Sequence, residues 1–213
     1  MLFRDRQDAG RQLALRLASL HLDPKTALVV AIPRGGVVVG AEIAAALHLP
    51  LDVYITRKLV APGNPELAIG AVAADGTVFL DEDMARSAGA SERYVATETE
   101  RQTLEMRRRL RVYRGDRPPP LLKGKDVVLV DDGIATGATT LVALRALRRQ
   151  APARLILAIP VGPPDAIRRM ESEADQVVVL AAPDPFWAVG AFFSDWSQTS
   201  DQEVIALLNQ HRQ

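Results

Sequence analysis

Along the first twenty residues, apolar positions recur at Ala9, Leu13, Leu17 and Leu20 with charges between them, which predicts an amphipathic opening helix within Phe3 to Leu20. The pattern then changes. Ala27 to Ile32 (ALVVAI) is a continuous apolar run too short for a helix, and Pro33-Arg34-Gly35-Gly36 ends it, so a buried strand and a turn are expected. VVVGAEIAAALHL has helical length, and LDVYITRK predicts a second strand. ELAIGAVAADGTVFL divides into two apolar runs at Asp75-Gly76, a dipeptide that favours a hairpin turn. Ser91 to Arg114 predicts a charged helix with Val95, Thr99, Gln102, Met106, Leu110 and Tyr113 on one stripe, closed by Arg117 to Pro120. Strand and helix then alternate through DVVLV, TLVALRALRRQ, RLILAIPV, a short helix near Asp165 to Glu171, and QVVVL. Pro183 to Trp196 has no period, and Ser200 with Glu203 forms a capping box before a last helix.

Continuous apolar strands alternating with helices predict an α/β fold, a mostly parallel central sheet covered by helices on both faces. The 213 residues, 48% of them hydrophobic, suit one core with a small appendage. The expected division is a core over 1–182, with an inserted helix at about 91–114, and a C-terminal segment and helix over 183–213. Basic and acidic residues balance at 26 each, so no global field draws the chain to nucleic acid or an anionic membrane, and neither is an expected partner. Arg107 to Arg111 (RRRLR) is a candidate nucleic-acid face, but Glu98, Glu100 and Glu105 stand within a turn of Arg101, Arg108 and Arg109 and predict an ion-paired surface instead. There is no Cys, which removes disulfides, thiol catalysis and thiolate metal sites. The charged start MLFRDRQDAG and the lack of any apolar run near the roughly 20 residues of a membrane span predict a cytoplasmic protein.

The chemistry concentrates in VVLVDDGIATGATT, Val127 to Thr140. In open parallel sheets ligands bind beyond the carboxyl ends of the strands, where Asp131 and Asp132 are expected to stand and a helix is expected to begin at Thr139 or Thr140. Exposed N–H groups and the helix dipole favour an anion there, and Gly133, Ala135, Gly137 and Ala138 let the backbone approach it. Thr136, Thr139 and Thr140 add hydroxyl donors. Carboxylates do not share a phosphate's oxygens, so Asp131 and Asp132 are assigned to vicinal hydroxyls, those of a ribose whose 5′-phosphate sits in the loop. A P-loop is excluded, because no Lys precedes the Ser/Thr position. A dinucleotide fingerprint fits poorly: the glycines are Gly35, Gly36 and Gly40, and Asp52 opens the next strand rather than ending it.

An apolar strand, two acids and a Gly/Thr loop resemble the phosphoribosyl-diphosphate signature of the type I phosphoribosyltransferases. The resemblance implies that Arg34, Gly35 and Gly36 hold the diphosphate. TRKLVAPGNPELAIGA, Thr56 to Ala71, is similar to the Arg-Lys opening of the family's mobile active-site loop, which gives Arg57 and Lys58 to the diphosphate and leaves Glu66 as a candidate proton-transfer group. The family closes its site with a variable hood, here expected within Pro183 to Trp196, with Phe186 and Trp187 stacking on the acceptor and Phe192, Phe193 and Trp196 in the core. The implied reaction moves the 5-phosphoribosyl group of phosphoribosyl diphosphate to a nitrogenous base or amine with release of pyrophosphate. Catalysis would rest on Arg34, Lys58, Asp132 and Glu66, with Mg²⁺ bound mainly through the substrate and with no dedicated protein metal cage. A homodimer is one candidate assembly, and the sequence does not identify the oligomer. Ala135 stands where 6-oxopurine enzymes carry an acid, so DDGIATGAT lies closer to the adenine enzymes, and the helix at 91–114 has no family counterpart. The alternatives are a regulator that senses the donor or a nucleotide on the same fold, and hydrolysis of the donor or a nucleotide.

Overall fold

The computed structural model describes residues 1–73 and 76–211. Its helices are α1 (Arg6–Leu17), α2 (Gly35–Leu47), α3 (Glu82–Ser87), α4 (Glu92–Arg114), α5 (Ala138–Arg149), α6 (Pro164–Glu171) and α7 (Asp201–Gln210). Its strands are β1 (Ala27–Ala31), β2 (Leu51–Val53), β3 (Thr56–Ala61), β4 (Asn64–Ala73), β5 (Val78–Leu80), β6 (Asp126–Val130), β7 (Arg154–Val161) and β8 (Gln176–Ala181). Five strands form one wholly parallel sheet in the order β2-β1-β6-β7-β8. Both faces are covered, as the continuous apolar runs predict. Val29 and Ala31 of β1 join one core with Leu13, Leu17, Ile43 and Val204, from α1, α2 and α7. Leu28, Val30 and Ile32 join another with Val142, Leu144, Leu147 and Met170, from α5 and α6.

β3, β4 and β5 form a separate antiparallel sheet. LDVYITRK is therefore two strands rather than one. β2 runs beside β1 for three pairs, and Tyr54, whose N–H donates to Ala31 O, makes the last bond before the chain leaves the parallel sheet. Val53, Tyr54 and Ile55 are all buried, so hydrophobicity carries no mark of the break. The expected mobile loop is likewise a hairpin: β3 pairs with β4 from Thr56↔Ala73 to Ala61↔Asn64 across Pro62-Gly63. Gly63 has φ 71°, the conformation that a Pro-Gly turn requires. β4 and β5 pair as Asp75-Gly76 suggests, although Asp75 itself lies outside the described residues.

The inserted α4 buries Gln102, Met106 and Tyr113 of the expected stripe. It also buries Glu98, which accepts from Arg101 and Gln102, so the expected Glu98–Arg101 pair forms with an exposed guanidinium and a buried carboxylate. Farther along, Arg108 and Arg109 do share Glu105 at the surface. Its last residue, Arg114, donates to Asp52 Oδ1 at 2.7 Å and Val53 O at 2.6 Å, tying the helix to β2 with side chains only 9% and 22% exposed. Asp52→Ala leaves that guanidinium without its counter-charge and is expected to cost about 2 kcal/mol, read as a lower urea midpoint at unchanged slope. No described helix is long and apolar enough to cross a membrane.

Candidate active site

From β1 the chain crosses by α2 to β2 on one side, and from β6 it crosses by α5 to β7 on the other. The connections diverge between the adjacent strands β1 and β6, which opens a crevice at their carboxyl ends. Both sequence motifs stand there. The Pro33–Arg34 peptide, which is cis, leads into α2 with Arg34 at the N-cap and Gly35 and Gly36 in the first turn. Asp131 and Asp132 follow β6, and the loop from Gly133 to Gly137 leads into α5 at Ala138, with Gly137 at φ 73° in the N-cap place.

The two motifs touch. A Cβ on Gly35 would overlap Asp132 Oδ2 and lie 2.5 Å from Arg6 Nε, and one on Gly36 would lie 3.0 Å from Asp131 Cα. Asp131 Oδ1 accepts from the Asp132 N–H at 2.9 Å and Oδ2 from the Thr140 hydroxyl at 3.3 Å. Burial, and then the charge of Asp132, raise the Asp131 pKa well above the usual carboxylate range. Thr140 is buried, and its hydroxyl is turned toward Asp131. Ala135 and Thr136 are exposed at the loop tip, and Thr139 faces a cavity beside it. Gly133, at φ 143°, leaves room for Val189, because a Cβ there would overlap that side chain.

That cavity, of about 400 Å³, is basic. Pro33, Thr56, Arg57, Lys58 and Thr139 line it together with Gln102 and Arg109 of α4. Arg57 Nε donates to Gln102 Oε1 at 2.8 Å, and desolvation, then Arg109, lower its pKa. Arg34 and Lys58 are solvent-exposed. Glu66 falls in β4, and its side chain lies outside the described residues.

Several contributors carry no signal in the sequence. The isolated bridge Phe3↔Phe193, with N–H donation from Ser194 to Phe3 O and from Asp195 to Arg4 O, binds the N-terminal segment to the expected hood. Arg6, at the start of α1, is thereby delivered to Asp132, where Nε donates to Oδ2 at 2.7 Å. Its guanidinium lies 3.6 Å from the centre of the Trp196 ring and donates from Nη1 to Ser197 O. Arg169 of α6 donates to Thr136 O at 3.0 Å and ties the loop before α5 to α6. Among the hood aromatics, Phe193 is buried against Phe3 and half-buried Phe186 packs on Phe192 at 5.1 Å between ring centres. Trp187 is 84% exposed, and Trp196 is 38% exposed rather than in the core.

The phosphoribosyl transferase domain model matches residues 6–192, a span that contains both motifs, the inserted helix and most of the hood. The chain belongs to the phosphoribosyl transferase domain family. Relatives from two strains of Mycobacterium tuberculosis, provisionally named phosphoribosyl transferases, are 44% identical over 212 residues, covering 99% of this chain and 47% of theirs. The chain thus spans about half the length of the curated relatives it matches. The crystal structure of TT1426 from Thermus thermophilus superposes over 100% of both chains with TM-score 0.85 at 42% identity. A Neisseria gonorrhoeae protein with bound ppGpp, at TM-score 0.50 and 14% identity over 100% of this chain and 99% of its own, shares the fold alone. In this phosphoribosyl transferase domain the inserted α4 is part of the site, because it supplies Gln102 and Arg109 to the basic cavity.

Proposed function

We propose that the protein transfers the 5-phosphoribosyl group of phosphoribosyl diphosphate to a nitrogen of a base or amine. One observation carries the reading: Asp131 and Asp132 stand between a phosphate-sized loop at a helix N-terminus and a separate loop that opens beside a basic cavity. The donor has that order of groups, with 5′-phosphate, vicinal hydroxyls and diphosphate in sequence. Backbone N–H groups from Ala135 to Thr139 take the 5′-phosphate, and Asp131 and Asp132 accept from the ribose hydroxyls. Arg34, Arg57 and Lys58, with the N–H groups of Gly35 and Gly36, take the diphosphate. The C1–O bond to diphosphate breaks as the C1–N bond forms, the nitrogen gives up a proton, and pyrophosphate leaves. Fixed donors at the diphosphate stabilise the charge that gathers on the leaving group. Glu66 is assigned the proton and Trp187 the exposed stacking face for a planar acceptor, with Phe186 beside it.

Two adjacent carboxylates, one of them with its proton affinity raised by burial and by the charge of the other, fit a Mg²⁺ ion carried in by the donor, which Asp131 or Asp132 would hold. Bound there, the ion would supply positive charge beside the leaving diphosphate.

A panel of nucleobases and amines, each incubated with phosphoribosyl diphosphate and Mg²⁺ and assayed for pyrophosphate, tests the reading. Release with one acceptor class is the expected result. Donor binding without release for any acceptor would assign the protein to sensing instead, and no donor binding would overturn the reading. Arg34→Ala is expected to weaken pyrophosphate binding about tenfold or more, the loss of a charge-assisted contact, while a nucleoside 5′-monophosphate binds nearly as before. Equal losses measured by calorimetry would contradict the division of the two anions.

A further inference from the structure

A second cavity, of about 520 Å³, lies outside this site, beneath the connection from α4 to β6. Its floor is apolar, formed by Val53, Tyr54, Ile55, Leu110 and Leu122, and Pro119 and Pro120 make one wall. The connection is held in place: Arg117 Nε donates to Arg114 O, Leu122 is buried, and Arg114 is fixed on Asp52. The cavity is therefore preformed, and its size falls within the range of small-molecule pockets, about 300 to 1,000 Å³.

Its mouth is charged in an unbalanced way. From Arg107 onward, α4 carries five arginines, of which Arg108 and Arg109 pair with Glu105 and Arg114 with Asp52. Arg107 and Arg111 both line the cavity, and among the described residues neither side chain has a hydrogen-bond or ion-pair partner. They stand one turn apart on the same helix, an arrangement in which like charges repel. Arg114, already paired with Asp52, and Arg117 are the other cations of the lining, and among the described residues Asp116 is its single carboxylate.

We propose that this cavity binds an amphipathic anion, with a planar or branched apolar body seated on the Val53–Ile55 floor and a carboxylate, sulfonate or phosphate head held by Arg107 and Arg111. An apolar body gains from leaving water, and an anionic head relieves the repulsion between the two guanidinium groups through charge-assisted hydrogen bonds. The site shares with the basic cavity only Ile55, so occupancy of the two is separate.

Fluorescence titration of the full chain with 8-anilinonaphthalene-1-sulfonate, an aromatic body bearing one anion, tests the proposal. Saturable binding is expected, displaced by phenyl phosphate and not by pyrophosphate. In Arg107→Gln/Arg111→Gln affinity should fall about tenfold or more while Tm stays level, because the lost contacts are charge-assisted and involve exposed side chains. The double Lys variant keeps both charges and should bind within about threefold of the parent if the head is held mainly by charge. Unchanged affinity in the Gln variant would overturn the proposal by placing the probe elsewhere. Displacement by pyrophosphate would assign the probe to the donor site, and absence of saturable binding would leave the cavity without this role.

Discussion

Asp131→Asn is expected to yield a protein that melts higher than its parent at neutral pH and binds phosphoribosyl diphosphate one to two decades more weakly. The free carboxyl is disfavoured in its ionised form by burial and by the charge of Asp132, so its folded pKa lies above the unfolded value. For an acid shifted in that direction the sign is fixed. The native state binds the proton more tightly than the unfolded chain, and the parent loses stability as pH rises from the unfolded pKa, about 3.9, through the folded one. Asparagine has no such dependence. Its amide oxygen can still accept from Asp132 N–H, and Thr140 can turn its hydroxyl from donor to acceptor. The gain in Tm should therefore be present at pH 7 and close toward pH 4. The binding loss follows from one charge-assisted hydrogen bond, about 1.5 to 3 kcal/mol. Melting curves whose difference does not change between those pH values would remove the assigned cause, and unchanged donor affinity would remove Asp131 from the ribose site.

Gly35→Ala is expected to lower the kcat/KM for pyrophosphate release by about two decades, because a methyl group there occupies the place of Asp132 Oδ2 and crowds Arg6 Nε. The carboxylate and the guanidinium must both move, and displacement by about 1 Å at a reacting centre is enough for a loss of that order. The fold should survive. The overlap is with side chains at the edge of the crevice, and Ala is a better helix former than Gly at the start of α2. Gly63→Ala is the contrasting variant: a Cβ there meets nothing within 4 Å, although its φ of 71° makes the substitution strained. It should lower Tm slightly and leave donor affinity alone. A Gly35→Ala protein with the parent's kcat/KM would show that the two motifs do not cooperate.

The parallel sheet was legible because strands buried on both faces leave a continuous apolar run, and the two central runs that flank the crevice each end in a residue type that does not continue them. Pro33 closes β1, and the paired carboxylates close β6. The place of the loop between β6 and α5 was legible for a related reason, since its small residues and acids mark a strand end and a helix start. What stayed hidden was tertiary. Nothing in DRQDAG marks Arg6, because its importance arises from the pairing of residues 2–4 with 192–195 across the length of the chain. Gln102 reads as one more position of the packing stripe and Arg109 as an ordinary exposed one until β3 packs beneath the helix. The hairpin of β3 and β4 was partly hidden: Pro62-Gly63 is a turn signal, but Arg57 and Lys58 at its start drew attention to a mobile loop instead.

The placement of β1 beside β6 has a consequence for how the protein comes into being. Ala27 pairs with Asp126, and the site between these strands also needs Arg6, Arg57 and Gln102, so almost no two of its parts are near neighbours in sequence. Closing such long loops is slow and entropically costly before any contact is gained. During synthesis β1 must wait, with one edge unpaired, until β6 has emerged. Limited proteolysis should accordingly find no fragment ending before Val130 that retains donor binding, and the binding crevice should be among the last features to acquire protection from hydrogen exchange during refolding.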